Sequence, residues 1–338
     1  MKPKLKIIYV LLFLVIIGCE EVITFEPASD FISSGWEFQY SGVGAELKSV
    51  FLTDQNNGWA VGKMSHELTG NNYATDGVII NTKNGGKKWN LQYSTESEYG
   101  YGLNDVFFIN SNIGWAVGDG NRIYKTTNGG EDWILKLSSS LWHAFFSVFF
   151  IDEDKGWVVG SVDSVFITQD GGENWVKRYY YSRYLGGICV FFIDENNGWI
   201  GSSAGEIKYT HDGGNTWIQQ NSGITSDIND MFFIDANNGW AVGNEGLILH
   251  TNDGGINWNI QREDPGHPLN SVQFLDVNEG FVVGYLGALL YTVDSGNSWL
   301  EKRTYTNAWL NDLCFIDRNN GWLVGASTKI LHTSSGIF

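Results

Sequence analysis

The dipeptide Gly-Trp returns along this chain at an interval that only a repeat architecture uses. It stands at Gly58-Trp59, Gly114-Trp115, Gly156-Trp157, Gly198-Trp199, Gly239-Trp240 and Gly321-Trp322, with Gly280-Phe281 filling the remaining slot. Successive spacings are 56, 42, 42, 41, 41 and 41 residues. A second signature follows six of the seven: Thr, any residue, Asp or Asn, Gly-Gly, two residues, Trp. It reads Thr82–Trp89, Thr126–Trp133, Thr168–Trp175, Thr210–Trp217 and Thr251–Trp258, and Thr292–Trp299 has Ser295 for the first glycine. Self-similarity at this period marks units that cannot bury their apolar faces alone and must stack on neighbours.

Inside one repeat every signal is β. Met231 to Asp235 reads as a buried strand, and Ala236-Asn237-Asn238-Gly239 carries turn chemistry. Trp240 to Gly243 starts a second strand, Leu247 to Thr251 a third, and Trp258 opens a fourth after the hairpin Asn252-Asp253-Gly254-Gly255. Four antiparallel strands in about 41 residues is the size of a propeller blade. The predicted fold is therefore all-β: a seven-bladed β-propeller of four-stranded antiparallel blades. The seventh repeat ends at Phe338, before its fourth strand, while Trp36 to Ser41 resembles the fourth strands Trp89 to Ser94 and Trp217 to Ser222. The N-terminal strand is expected to complete the last blade and remove a free sheet edge; the alternative is an open solenoid. Of 15 tryptophans, thirteen are then core residues of the repeats, and only Trp142 and Trp309 are left over.

The first residues read as a targeting segment. Lys2, Lys4 and Lys6 precede a short apolar run from Ile7 to Ile17, which is short for a membrane span. Ile16-Ile17-Gly18-Cys19 resembles the bacterial lipobox, with the Cys19 thiol as the group that takes the lipid; the competing reading is an uncleaved anchor. The expected organisation is a signal peptide over 1–18, a lipidated linker over 19–34 and the propeller over 35–338. Glu20 and Glu21 lack the aspartate signal for inner-membrane retention, so the expected location is the envelope, lipid-anchored at the outer membrane.

Twenty-one Lys and Arg against 38 Asp and Glu give a formal charge of -17. A phosphate-binding surface needs a basic excess, so nucleic acid is excluded as a partner. Cys189 and Cys314 lie three blades apart in apolar strand contexts and are expected to be buried free thiols rather than a disulfide. The six histidines form no HExxH, and the Asp-x-Asn-x-Gly turns lack the bidentate glutamate of a calcium loop. No catalytic triad, metal site or cofactor motif can be assembled.

The repeat Phe-Phe-Ile-Asp-x-Asn-Asn-Gly-Trp-Ala-Val-Gly, followed by Ile-x-x-Thr-x-Asp-Gly-Gly-x-x-Trp, resembles the photosystem II stability/assembly factor repeat. Its hairpin is the Asp-box, or bacterial neuraminidase repeat. The resemblance spans residues 36–338 and implies a propeller that binds or assembles membrane protein complexes rather than an enzyme. Those factors are expected to present an arginine-rich patch, whereas this chain has six arginines in all; it is placed among lipoproteins of non-photosynthetic bacteria that carry the same repeats. The alternative is a sialidase-like or other glycan-active or glycan-binding propeller. That reading needs an arginine triad, and no arginine recurs at an inner-strand position.

Binding is expected on the face formed by the interblade connections and the loops between second and third strands. Blade 1 carries an insertion there, Lys63 to Asp76, and Trp142 and Trp309 lie in interblade connections. Arg178-Tyr179-Tyr180-Tyr181-Ser182-Arg183-Tyr184 has the aromatic and cationic composition of recognition surfaces. From this run Arg178, Tyr180, Tyr181, Arg183 and Tyr184 are the candidates. With period-2 alternation, Ser49, Asp105, Ser147, Cys189, Asp230, Ser271 and Asp312 line the channel mouth. Asp105, Asp230 and Asp312 then either form an acidic entrance for a cation or basic peptide, or satisfy neighbouring amides. The expected partner is an envelope protein or peptide, with a glycan as the alternative.

Overall fold

Each repeat forms a four-stranded antiparallel sheet. The computed structural model describes residues 35–336, apart from 69–71, 96–99, 140–142, 162, 180–185 and 327, and contains seven such sheets. The inner strands are Glu46–Leu52, Leu103–Phe108, Phe145–Phe150, Gly187–Phe192, Ile228–Phe233, Leu269–Phe274 and Leu310–Phe315. Each contacts the inner strands on either side, and that of blade 7 contacts that of blade 1, so the ring closes around a central channel. Closure uses the N-terminal strand: Trp36–Tyr40 pairs antiparallel with Lys329–Thr333, in register from Trp36↔Thr333 to Tyr40↔Lys329.

The tryptophans hold blade to blade. The second-strand indole of one blade stacks on an inner-strand phenylalanine of the next: Trp59 on Phe108, Trp115 on Phe150, Trp157 on Phe192, with centroids 3.7, 3.5 and 3.6 Å apart. The Asp-box tryptophan of the same blade meets that phenylalanine edge-on, as Trp133 meets Phe108 at 5.8 Å and 87°. Such pairs add about 0.5–1.5 kcal/mol beyond their area burial. The glycine before each tryptophan is dictated by this packing, because a Cβ on Gly114 would lie 2.5 Å from the Phe108 ring.

In each Asp-box from Thr82 to Thr292 the threonine and the Asp or Asn two residues on tie down the turn. Thr168 Oγ1 donates to Asp170 Oδ1 at 2.9 Å and accepts from the Gly172 amide at 2.8 Å, while Asp170 Oδ1 accepts the Asn174 amide at 2.9 Å. The outward carbonyl of the turn receives the indole N–H of the preceding blade, Trp115 Nε1 donating to Gly171 O at 3.0 Å. These carboxylates are fold devices.

At blade 7 the N-terminal strand reproduces the part of a fourth strand. Trp36 meets Phe315 edge-on at 6.2 Å and 90°. Gln39 donates to Gly85 O of blade 1 at 2.9 Å, as Gln92 donates to Gly129 O and Gln220 to Gly254 O in their own interfaces.

The blade 1 insertion is a hairpin rather than an irregular loop. Its strands lengthen to Gly58–Leu68 and Asn72–Thr82 and stay paired from Lys63↔Gly77 to Leu68↔Asn72. Both cysteines are free: Cys189 is buried, but Cys314 is only partly so, because its position faces the channel.

Candidate functional site: the channel mouth

Every inner strand carries a β-bulge near its start. In blade 2, Leu103 pairs with Gly118 and Asp105 with Val117, so Asn104 is the extra residue; the other six blades shift at the same place. Strict alternation is thereby broken, and two successive residues face the channel instead of one. The bulge residue and the one after it together line a mouth of about 310 Å³. Below lies a second space of about 200 Å³ walled by Phe51, Phe107, Phe149, Phe191 and Phe232, whose neighbouring centroids are 4.9–5.3 Å apart. Ser49, Asp105, Ser147, Asp230, Ser271 and Asp312 border both spaces and form a polar collar between them.

The collar aspartates sit where the register placed them, and their oxygens are committed to the ring. Asp105 Oδ1 accepts the Val106 amide and the Ser49 hydroxyl, each at 2.8 Å, and Oδ2 accepts the Val148 amide at 2.8 Å, linking blades 1, 2 and 3. Asp312 accepts from the Ser271 hydroxyl at 2.7 Å and the Val50 amide at 2.8 Å, linking blades 6, 7 and 1. Asp230 accepts its own Met231 amide and, at 2.9 Å, that of Val272 in blade 6. Ser147 receives the Val190 amide at 3.3 Å. Burial pushes the carboxyls of Asp105 and Asp230 up to about 7 against these donors, and raises Asp312 as well. All three accept neighbouring amides, one of the two roles open to them in sequence.

Four bulge asparagines do similar work and escaped the sequence reading. Asn104, Asn229, Asn270 and Asn311 donate from Nδ2 to Phe145 O, Leu269 O, Leu310 O and Leu47 O of the following blade, at 2.7–2.8 Å. Their signal was present, since Leu-Asn or Ile-Asn heads four inner strands. The other three bulge residues are Lys48, which bonds Glu46 at 2.6 Å, and the apolar pair Phe146 and Ile188, with Phe146 39% exposed.

Trp309 does stand in an interblade connection, 48% exposed, with Tyr285 edge-on at 5.0 Å and 85°. Arg178 does not: it is exposed on Val176–Tyr179, the outer strand of blade 3, paired with Val165. There it lines a groove of about 400 Å³ with Asp170, Asn174 and Asn215, away from the mouth. Cys19, Trp142, Tyr180, Tyr181, Arg183 and Tyr184 lie outside the described residues. Among the described residues no group of three or more His, Cys, Asp or Glu is placed to hold a metal ion.

No curated protein sequence matches the chain. A solved YCF48 bound to a D1 peptide superposes with a TM-score of 0.72 at 19% identity, over 90% of this chain and 98% of that one. YCF48 from Cyanidioschyzon merolae gives 0.69 at 19% identity, over 88% and 98%. Virginiamycin B lyase from Staphylococcus aureus gives 0.70 at 12% identity, over 88% and 99%, so the same architecture also hosts an enzyme. The family model described as photosynthesis system II assembly factor YCF48 matches residues 136–220, 187–268 and 218–307, together just over half of the chain. The chain belongs to the photosynthesis system II assembly factor YCF48 family.

Proposed function

We propose that the chain is a non-enzymatic binding and assembly scaffold that captures a segment of a partner protein across its channel-mouth face, held to the bacterial envelope by a lipid on Cys19. One observation carries the reading. The recurring polar groups of the channel are consumed in holding blades together, while the mouth also presents residues that differ from blade to blade, Lys48, Phe146 and Ile188. That distribution suits recognition by a rigid frame. It does not suit acid–base chemistry, where a carboxylate must be free to move a proton at a substrate atom.

Peptide capture by a propeller of this family is exemplified by the YCF48 that carries a D1 peptide. A photosynthetic role is not part of the proposal, because the arginines are few and three of the described ones are engaged. Arg122 stacks on Tyr101 at 3.8 Å, Arg262 pairs with Asp264 and Arg318 with Glu279. None of the described arginines stands on an inner strand, which also disfavours a sialidase-like site.

The test is crosslinking of the native protein in membranes from photoreactive residues at 146, 188 and 309, with a control at 131 on an outer hairpin. Adducts to a discrete protein from the mouth positions alone are expected, and Cys19→Ala should shift the protein to the soluble fraction. Hydrolysis of fluorogenic sialosides that is lost in Asp105→Asn or Asp230→Asn would replace this reading with an enzymatic one.

A further inference from the structure

Between blades 5, 6 and 7 the mouth face carries an aromatic platform that the stacking of the blades does not use. Trp309, in the connection from blade 6 to blade 7, is anchored by its backbone, since Trp309 O accepts the Ala326 amide at 2.9 Å, yet its indole stays 48% exposed. Tyr285 stands edge-on to it, and the His267 ring lies 6.0 Å from that of Tyr285. Leu286, next along the turn, is also 48% exposed. This is an apolar and aromatic surface on a fixed frame.

The blade 5 loops at its His267 end are acidic. Glu245 Oε2 accepts the Gly266 amide at 3.2 Å, and the Asp264 amide bonds the Glu245 carbonyl at 2.8 Å, which joins the two loops. Glu263 is exposed beside Asp264. Arg262 is spent: its Nη2 lies 2.8 Å from Asp264 Oδ2, and Nη1 donates to Gly246 O at 3.0 Å. His267 Nδ1 is 3.3 Å from the other oxygen of Asp264.

We infer that this platform docks a lysine- or arginine-bearing segment of the partner, one cation lying over the Trp309 indole and a second reaching Glu245 and Glu263 at the His267 end. The inference rests on the scaffold reading above and supplies the chemistry of its partner. A cation over an exposed indole gains about 0.5–1 kcal/mol from the ring quadrupole. The chain's formal charge of -17 steers a basic segment inward at long range. The same field repels anionic lipid headgroups and nucleic acid, so a basic polypeptide is the complementary occupant.

The probes are two peptides, Ac-Gly-Lys-Gly-Arg-Gly-Lys-NH2 and its counterpart with glutamate at the three charged positions, titrated into the full chain by calorimetry at low salt. The cationic peptide is expected to bind and the anionic one not. Trp309→Ala should weaken binding about fivefold, as about 1 kcal/mol implies. Trp309→Phe should restore part of that loss. Glu245→Gln and Glu263→Gln should each weaken it about two- to threefold, and Glu131→Gln, an exposed carboxylate far out on blade 2, should leave it unchanged. Equal binding of both peptides, no loss in Trp309→Ala, or the same loss in Glu131→Gln overturns the inference. If membrane crosslinks still reach a partner from the mouth in that event, the scaffold reading stands and only the basic-segment assignment falls. Absence of any crosslinked partner removes the scaffold reading instead.

Discussion

Trp36→Ala probes ring closure at the one blade whose fourth strand is not covalently continuous with its third. The Trp36 indole is 2% exposed, packed edge-on against Phe315 and within a cluster that includes Leu313, Leu323 and Leu331. Burial of about 200 Å² at about 25 cal/mol per Å² is worth ~5 kcal/mol, and truncating a core tryptophan costs about 3–5 kcal/mol. Trp133→Ala removes an indole of similar burial, 8% exposed, from blade 2. There, however, the fourth strand Ile134–Leu137 follows directly from the hairpin of the same repeat. The two variants should therefore lose comparable unfolding free energy in urea but differ in where they open. In Trp36→Ala the strand Trp36–Tyr40 detaches, and those amides of Lys329–Thr333 that donate to it, left on an open edge, should exchange with deuterium at least tenfold faster than in the wild type, while the alternate ones facing Gly321–Gly325 keep their protection. In Trp133→Ala the third strand Arg122–Thr126 should keep its protection. Wild-type protection in Trp36→Ala at the amides of 329–333 that face the N-terminal strand would refute the argument that this side chain clamps the ring.

Gly114→Ala should destabilise by about 1–3 kcal/mol in urea titration, since its methyl must displace the Phe108 ring 2.5 Å away. Gln220→Ala removes the 2.8 Å bond to Gly254 O and strips the Trp258 indole of its acceptor at 3.3 Å, so the melting midpoint should fall with a loss of about 1–3 kcal/mol. For Asp105 and Asp230 the folded carboxyls titrate near 7 and the unfolded ones near the ordinary aspartate value, so between those pH values the folded state holds protons that the unfolded chain has released. Their contribution therefore declines as pH rises from about 4 to about 7 and is constant above that. Urea midpoints at pH 5, 6 and 8 should show a downward slope in the wild type that is shallower in Asp105→Asn/Asp230→Asn; identical slopes would reject the assignment.

What the residues announced and what they concealed follows from the kind of interaction involved. Period and patterning specify blade number, strand order and closure, because each Gly-Trp, Asp-box and fourth-strand tryptophan packs against a partner at a fixed offset of about one blade. Trp36 was legible for that reason: it differs from Trp133 only in its position in the chain. The bulge was not legible, since an extra residue in a strand alters neither composition nor spacing. Alternation alone assigned one channel-facing residue per blade where there are two, so Asn104, Asn229, Asn270 and Asn311 went unnoticed. Arg178 was misplaced by a related ambiguity. Nothing in Arg178-Tyr179-Tyr180-Tyr181 marks where the outer strand stops, and two of those residues still belong to it.

Symmetry supplies the last constraint on where recognition resides. A partner segment has no sevenfold symmetry, so positions occupied alike in every blade offer it seven equivalent sites and no register. Asp-box threonines are of that kind, and second-strand tryptophans nearly so with Phe281 in blade 6, and the hydrogen bonds they make are spent on Asp-box turns. Bulge positions are not: four hold asparagines spent on the next blade, whereas blades 1, 3 and 4 present Lys48, Phe146 and Ile188 to the mouth. Directly beneath Phe146 and Ile188 the collar carries Ser147 and Cys189 in place of aspartate, which leaves this sector the least polar part of the rim. Cys189 also interrupts the chain of collar contacts that runs from blade 5 through blades 6, 7, 1, 2 and 3 to blade 4. A segment crossing the mouth thus meets an apolar wall on blades 3 and 4 and the acidic aromatic platform on blades 5 to 7. Those two unlike edges define a direction, and a direction is what a symmetric frame must acquire before it can bind one chain in one orientation.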